Sequence, residues 1–378
     1  MKTFFTVSVR LCIILLLISA VGCNKTKPRV EGKRSFCYWN RSYHLPDTSL
    51  WNQLQADHLY IRYFDVDWDR NTHEAKPVAT LQEGYDSFPK HFTPSVFLTN
   101  NVFEKSSSEQ LDSLSQRIKR RIEYITERFA LTSFYKSESF KNNYDYSRID
   151  SARSIYANRY KQRYSDILID CDWTEKTKDS FFYFVNRLKK DFPDKEITVT
   201  LRLWQYNQQK TAGIPPVKRC LLMCYNMQSP EDYRTENSIG SLEELKKYVS
   251  KDNYPLSLDI ALPIFNWAVL FRNERFVGLL GNVYPDTYEN NFIEYKKTGN
   301  KHYQLLTDKV IGNFFARKGD VVRVENVDPD ELLAMAKHLS STLSGNKIGR
   351  ITLFSWNTSY IHNYGTNQIE NVYSAFSK

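Results

Sequence analysis

Residues Ser165 to Glu175 read S-D-I-L-I-D-C-D-W-T-E, and this stretch decides the fold. Its apolar run Ile167-Leu168-Ile169 has the character of a buried strand, with the carboxylates Asp170 and Asp172 at its end. On a strand, residues two apart share a face and lie about 6.6 Å apart along it, so both acids should project into one cavity. Like charges that close must be separated by solvent, by hydrogen bonds or by a shared proton. The segment therefore predicts a carboxylate site at the tip of a buried strand.

Seven further segments have the same near-continuous apolar character: Phe36 to Trp39, His58 to Phe64, Pro94 to Leu98, Ile197 to Leu203, Cys220 to Tyr225, Leu256 to Leu262 and Arg350 to Trp356. Such runs suit parallel strands covered on both faces. Helical patterns lie between them. Leu111, Leu114, Ile118, Ile122 and Ile125 make an apolar stripe from Ser107 to Arg128, and Phe181, Phe184, Val185 and Leu188 do so from Thr177 to Phe192. Ser241-Leu-Glu-Glu has capping-box order, and Asp328-Pro-Asp-Glu places an acid and Pro329 at a helix start. Strands alternating with helices predict an α/β fold, a (β/α)8 TIM-type barrel. No clear helix follows Asp65 to Leu81. The long interval Ile264 to Gly349, with short strand-like runs at Phe276 to Val283 and Val321 to Val327, predicts an insertion between strands 7 and 8.

The N-terminus reads differently. Lys2 and Arg10 precede the apolar run Leu11 to Ala20, and Ala20-Val21-Gly22 stand before Cys23, which is the pattern of a secretory signal. The run is shorter than the ~20 residues a membrane span requires. The ending A-V-G-C resembles the lipobox of bacterial lipoproteins, which implies lipidation of Cys23 and a cell-envelope location. Residues 1–22 are then the signal, residues 23–34 a lipidated cysteine with a basic, polar linker, and residues 35–378 the barrel. The absence of acids in Asn24-Lys25-Thr26-Lys27 points to a periplasm-facing anchor. Basic residues in the linker favour an anionic membrane surface.

The net charge of +9 falls to +7 without Lys2 and Arg10, and no dense basic block occurs, which argues against a nucleic-acid partner. Cys37, Cys171, Cys220 and Cys224 fall in or beside strands without paired C-x-x-C spacing and read as small packing residues. The seven histidines are scattered, so no metal site is expected, and no G-x-S-x-G, G-x-x-x-x-G-K or G-x-G-x-x-G occurs to suggest a triad or a cofactor.

In a barrel of this type functional groups gather at the C-terminal ends of the strands. Those ends carry Trp39, Asp65 and Asp67, Glu104, Asp170 and Asp172, Trp204, Tyr225 and Asn226, Trp267, and Trp356. Aromatic rings alternating with carboxylates and amides suit a sugar, whose apolar face stacks while its hydroxyls hydrogen-bond. With 15% aromatic residues, some of these rings must belong to the core.

The chain resembles the family 18 glycoside hydrolases, the chitinases and endo-N-acetylglucosaminidases, and their non-catalytic relatives. Ile167 to Thr174 aligns Asp170, Asp172 and Trp173 with the family's fourth-strand motif D-G-x-D-x-D-W-E. Met223-Cys224-Tyr225-Asn226 matches its sixth-strand M-x-Y-D or M-x-Y-N, and Trp356 matches its eighth-strand tryptophan. The resemblance implies catalytic roles for Asp170, Asp172 and Tyr225, with Asp172 orienting an acetamido group. Trp39, Asp65, Trp204, Asn226 and Trp356 would bind carbohydrate. Thr174 departs from the family, whose proton donor is a glutamate there; a hydroxyl has no carboxyl to titrate near working pH. Glu175 is one residue out of step on a strand. Three readings stay open: a divergent glycosidase using Asp172, Asp65, Asp67 or Glu104 as acid, a barrel that binds glycan without cutting it, and a structural acid pair with no ligand.

Overall fold

The computed structural model describes residues 33–44, 46–82, 88–137, 149–281, 283 and 286–377. Cys23 and the signal lie outside the described residues. All eight expected strands are present: β1 (Lys33–Tyr38), β2 (His58–Asp69), β4 (Phe92–Leu98), β5 (Asp166–Asp170), β6 (Glu196–Arg202), β7 (Arg219–Met223), β8 (Ser257–Pro263) and β16 (Ile348–Phe354). They run parallel in the order β1-β16-β8-β7-β6-β5-β4-β2, and β1 pairs with β2 as well as β16, which closes the sheet into a barrel. Lys33 and Arg34, read as the end of the linker, already pair with Arg350 and Ile351.

Where the sequence showed no helix after the second strand, β2 runs on and turns back as an antiparallel hairpin with β3 (Glu74–Val78). The helix expected from Ser107 begins there with a true capping box and extends to Lys136. The other expected helices occupy Lys178–Asp191, Leu242–Tyr248 and Pro329–Thr342. None of the described helices is long and apolar enough to cross a membrane.

The insertion after β8 is larger than its two legible strands suggested. A five-stranded antiparallel sheet has the order β10-β9-β15-β12-β11, built from β9 (Asn266–Arg272), β10 (Arg275–Gly281), β11 (Tyr295–Gly299), β12 (His302–Leu305) and β15 (Val321–Asn326). A hairpin of β13 (Lys309–Ile311) and β14 (Phe314–Ala316) folds against it, with Phe314 seated over Gly278. Ala268, Leu270, Tyr303 and Val322 belong to a second small core under this sheet.

Side chains on β5 alternate as a buried parallel strand requires: Asp166, Leu168 and Asp170 share one face and Ile167 and Ile169 the other, and all five are buried. Asp166 belongs to a polar layer across one end of the barrel. Arg350 donates to its two oxygens at 2.6 and 3.1 Å, Arg219 lies 3.3 Å away, and Thr93 donates at 2.8 Å. Arg219 also faces Asp259 at 3.4 Å, and Tyr60 donates to Asp259 at 2.6 Å. Two guanidiniums thus balance two carboxylates that are each 1% exposed, which is how a charged layer is tolerated in a core. His58, bridged to Ser35 and Thr93, is pushed by burial well below the usual histidine range. The four cysteines of the described chain are free and buried, as packing residues.

Candidate functional site

Asp170 closes the opposite end of the β5 face from Asp166. It is 9% exposed and accepts a 2.7 Å hydrogen bond from the Thr200 hydroxyl on β6. Burial raises its carboxyl to about 7, the neighbouring Asp172 charge adds to this, and Thr200 and Arg202 oppose it. Asp172, past the strand end, is 49% exposed, and Arg202 faces it at 3.5 Å. The two acids therefore act on one another as the sequence suggested, but only Asp172 reaches solvent.

Asp172 and Arg202 stand on the wall of a cleft of about 560 Å³ at the C-terminal mouth of the barrel. Trp204, Tyr225, Tyr248 and Trp267 bring aromatic surface to it, and Asn226 to Pro230, the segment after β7, forms one side. Tyr225 is held by Phe354 and Phe265, with ring centroids at 4.9 and 5.9 Å, and burial pushes its phenol well above its usual range. It is thus a neutral hydroxyl donor. Asn226 sits at φ 53, in the left-handed region that asparagine tolerates. Its carbonyl accepts from Arg202 at 3.2 Å, and its side-chain Oδ1 is buried without a partner among the described residues. An unpaired buried acceptor beside a cleft favours a ligand that brings a donor.

Among the expected site residues, Asp172, Trp204, Tyr225 and Asn226 meet in this cleft. Asp170 lies behind Asp172. Trp356, Asp65 and Trp39 do not line the cleft. Trp356 is 4% exposed, packed edge-on against Phe36 at 4.8 Å and against Trp51 at 5.5 Å, and so is a core ring rather than a sugar platform. Asp65 is gripped by the Arg62 guanidinium, with Nε donating at 2.6 Å, and this fork occupies both its oxygens. Trp39 packs on Phe354 at 5.6 Å. Asp67, weighed as an alternative acid, accepts from Thr99 at 2.5 Å.

Trp173, matched to the family's tryptophan, is fully buried, stacks on Phe181 at 4.9 Å and donates its indole N–H to Ala212 at 2.9 Å. The chain leaves the strand there. Thr174 is drawn into the turn before the 178–191 helix, its N–H donating to Thr177 Oγ1 at 2.9 Å and its carbonyl accepting from Lys178, off the cleft wall. Arg202 and Tyr248 are cleft residues that the sequence reading missed. Arg202 could have been found as a cation at the end of a buried strand, next to Trp204. Tyr248, at the end of a seven-residue helix, carried no such signal.

Neither a protein-family model nor a curated protein matches the chain. Among solved structures, a xylanase-A-amylase inhibitor protein aligns with a TM-score of 0.40 at 8% identity, over 89% of this chain and 97% of its own. A xylanase and alpha-amylase inhibitor protein from Scadoxus multiflorus aligns with a TM-score of 0.36 at 10% identity, over 90% and 97%. The C-terminal domain of Legionella pneumophila ChiA gives a TM-score of 0.34 at 10% identity, over 91% and 97%. At such scores the barrel assignment rests on the strand order and closure of this chain itself.

Proposed function

We propose that this is an envelope protein, lipid-anchored at Cys23, whose barrel mouth binds carbohydrate without hydrolysing it. The observation that carries this reading is the makeup of the cleft. Trp204, Tyr225, Tyr248 and Trp267 stand around one carboxylate–guanidinium pair, Asp172 and Arg202, with the Asn226 Oδ1, unpaired among the described residues, beside them. Rings offer stacking surface to the apolar face of a sugar, and the polar groups suit its hydroxyls. Glycoside hydrolysis by two carboxyls needs a pair flanking the bond, about 5 to 9.5 Å apart, and hydrolysis assisted by a substrate acetamido group still needs a proton-donor carboxyl beside the one that orients that group. Among the described residues lining the cleft, Asp172 is the one carboxylate.

One observation favours a second reading: Asp170, buried next to Asp172, has its carboxyl raised to about 7, the range a general acid requires, so a divergent hydrolase built on this acid pair is the alternative.

A glycan array probed with the chain truncated after Cys23 separates the two. Binding without release of reducing ends is expected, and Trp204→Ala should weaken retention about tenfold through loss of a stacking face. Release of reducing ends that stops in Asp172→Asn would establish the hydrolase. No retention on any glycan would remove both readings.

A further inference from the structure

The insertion strand β15 carries two charged residues, Arg323 and Glu325, whose side chains are both 0% exposed. They pair with each other, Arg323 Nε donating to Glu325 Oε1 at 2.7 Å. A buried ion pair with no further duty is a weak source of stability, since the desolvation of both ions offsets their attraction. The other bonds of this pair show what it holds.

Glu325 stands directly opposite Trp267 in the β15–β9 register. Its Oε2 accepts the Trp267 indole N–H at 2.8 Å, and the same oxygen accepts both the N–H of Ser238, at 2.8 Å, and the Ser238 hydroxyl. Arg323 donates to three carbonyls of the loop after β7: Asp232 at 2.9 Å, Tyr233 at 3.2 Å and Pro230 at 3.0 Å. Its guanidinium also lies over the Phe271 ring, 4.8 Å from the centroid. Trp267 and Pro230 both line the cleft, on opposite sides of this joint. Neither charged residue lines it.

We propose that Arg323 and Glu325 are a positioning pair that fastens the loop after β7 to the insertion sheet and fixes the plane of the Trp267 indole, so that the insertion sets the affinity of the barrel mouth for carbohydrate. The affinity half of this statement rests on the carbohydrate reading above; the positioning half does not. Because the indole N–H is committed to Glu325, Trp267 offers a ligand its ring face and not a hydrogen bond. Holding a stacking group in its bound orientation before the ligand arrives reduces the ordering cost of association.

The test uses the chain truncated after Cys23, labelled with fluorotryptophan, with the Trp267 signal assigned by its loss in Trp267→Phe. The double variant Arg323→Met/Glu325→Met removes both charges and the acceptor of the Trp267 indole N–H at similar side-chain volume, and leaves no buried ion unpaired. Its Trp267 fluorine signal should shift and broaden while that of Trp173, in the barrel core, stays in place. Its affinity for N-acetylchitohexaose should fall about tenfold, in the range of lost preorganisation. Arg323→Lys keeps the charge and loses the fork to the three carbonyls, and should give a smaller change of the same kind. An unmoved Trp267 signal in both variants overturns the proposal, and a moved signal with unchanged affinity overturns its affinity half. If the unmutated chain binds no oligosaccharide while the variants still move Trp267, the positioning geometry is supported and the carbohydrate reading is what fails.

Discussion

Asp170 shows what one residue reports about the site. Burial chiefly, with the nearby Asp172 charge, raises its carboxyl from the ordinary 3.8 to about 7. A carboxyl raised by folding contributes stability that is fully present below the unfolded value and is lost as pH rises through the folded one. The chain should therefore lose stability between about pH 4 and pH 7 from this group, by on the order of a few kcal/mol at most. Asp170→Asn keeps an acceptor for Thr200 and removes the titration. Urea melts from pH 4 to pH 8 should show the variant gaining on the unmutated chain as pH rises; a constant difference would mean that Asp170 titrates normally. The proximity of the two acids was legible in the sequence, but their shared direction was not, since Asp172 lies past the strand end and it alone of the pair lines the cleft. The fate of Trp173, Thr174 and Trp356 was not legible either. The strand ends at Asp170, so alternation stops there, and only packing against Phe181, Thr177 and Phe36 decides where those side chains go.

At the scale of elements, the eight barrel strands were legible because most are short apolar-rich runs that are buried along most of their length, the mark of a parallel strand covered by helices outside and side chains within. The insertion strands β11 to β14 were not. Tyr295-Lys-Lys-Thr-Gly299 and His302-Tyr-Gln-Leu305 are short and polar on one face, and become strands only by pairing with each other and with β15. The polar layer that includes Asp166 was missed for a related reason. A charged residue at the start of an apolar run looks like a strand boundary, and the other members of the layer, Arg219 and Arg350 that pair with it and Asp259 that shares them, come from three distant strands. Arg350→Met should destabilise the barrel by about 3 to 5 kcal/mol, since Asp166 loses its two-pronged partner inside the core. The midpoint of urea unfolding reads this directly; a change below about 1 kcal/mol would mean that Arg219 alone neutralises the layer.

For the whole molecule, the barrel places every strand C-terminus at one mouth, and the insertion raises one wall of the cleft there through Trp267 and Leu279. The anchor is a separate proposition carried by the first 23 residues. Cys23→Ser should abolish incorporation of a labelled fatty acid and release the protein from the membrane fraction, and continued labelling would place the lipid elsewhere. The central claim concerns the mouth: it holds sugar and leaves it intact. The most direct measurement follows one N-acetylated oligosaccharide in two ways on the chain truncated after Cys23, by calorimetric binding and by release of reducing ends. The account predicts saturable binding that Trp204→Ala weakens about tenfold, with no product formed. Product formation that depends on Asp172, or the absence of binding to any oligosaccharide tried, would contradict it.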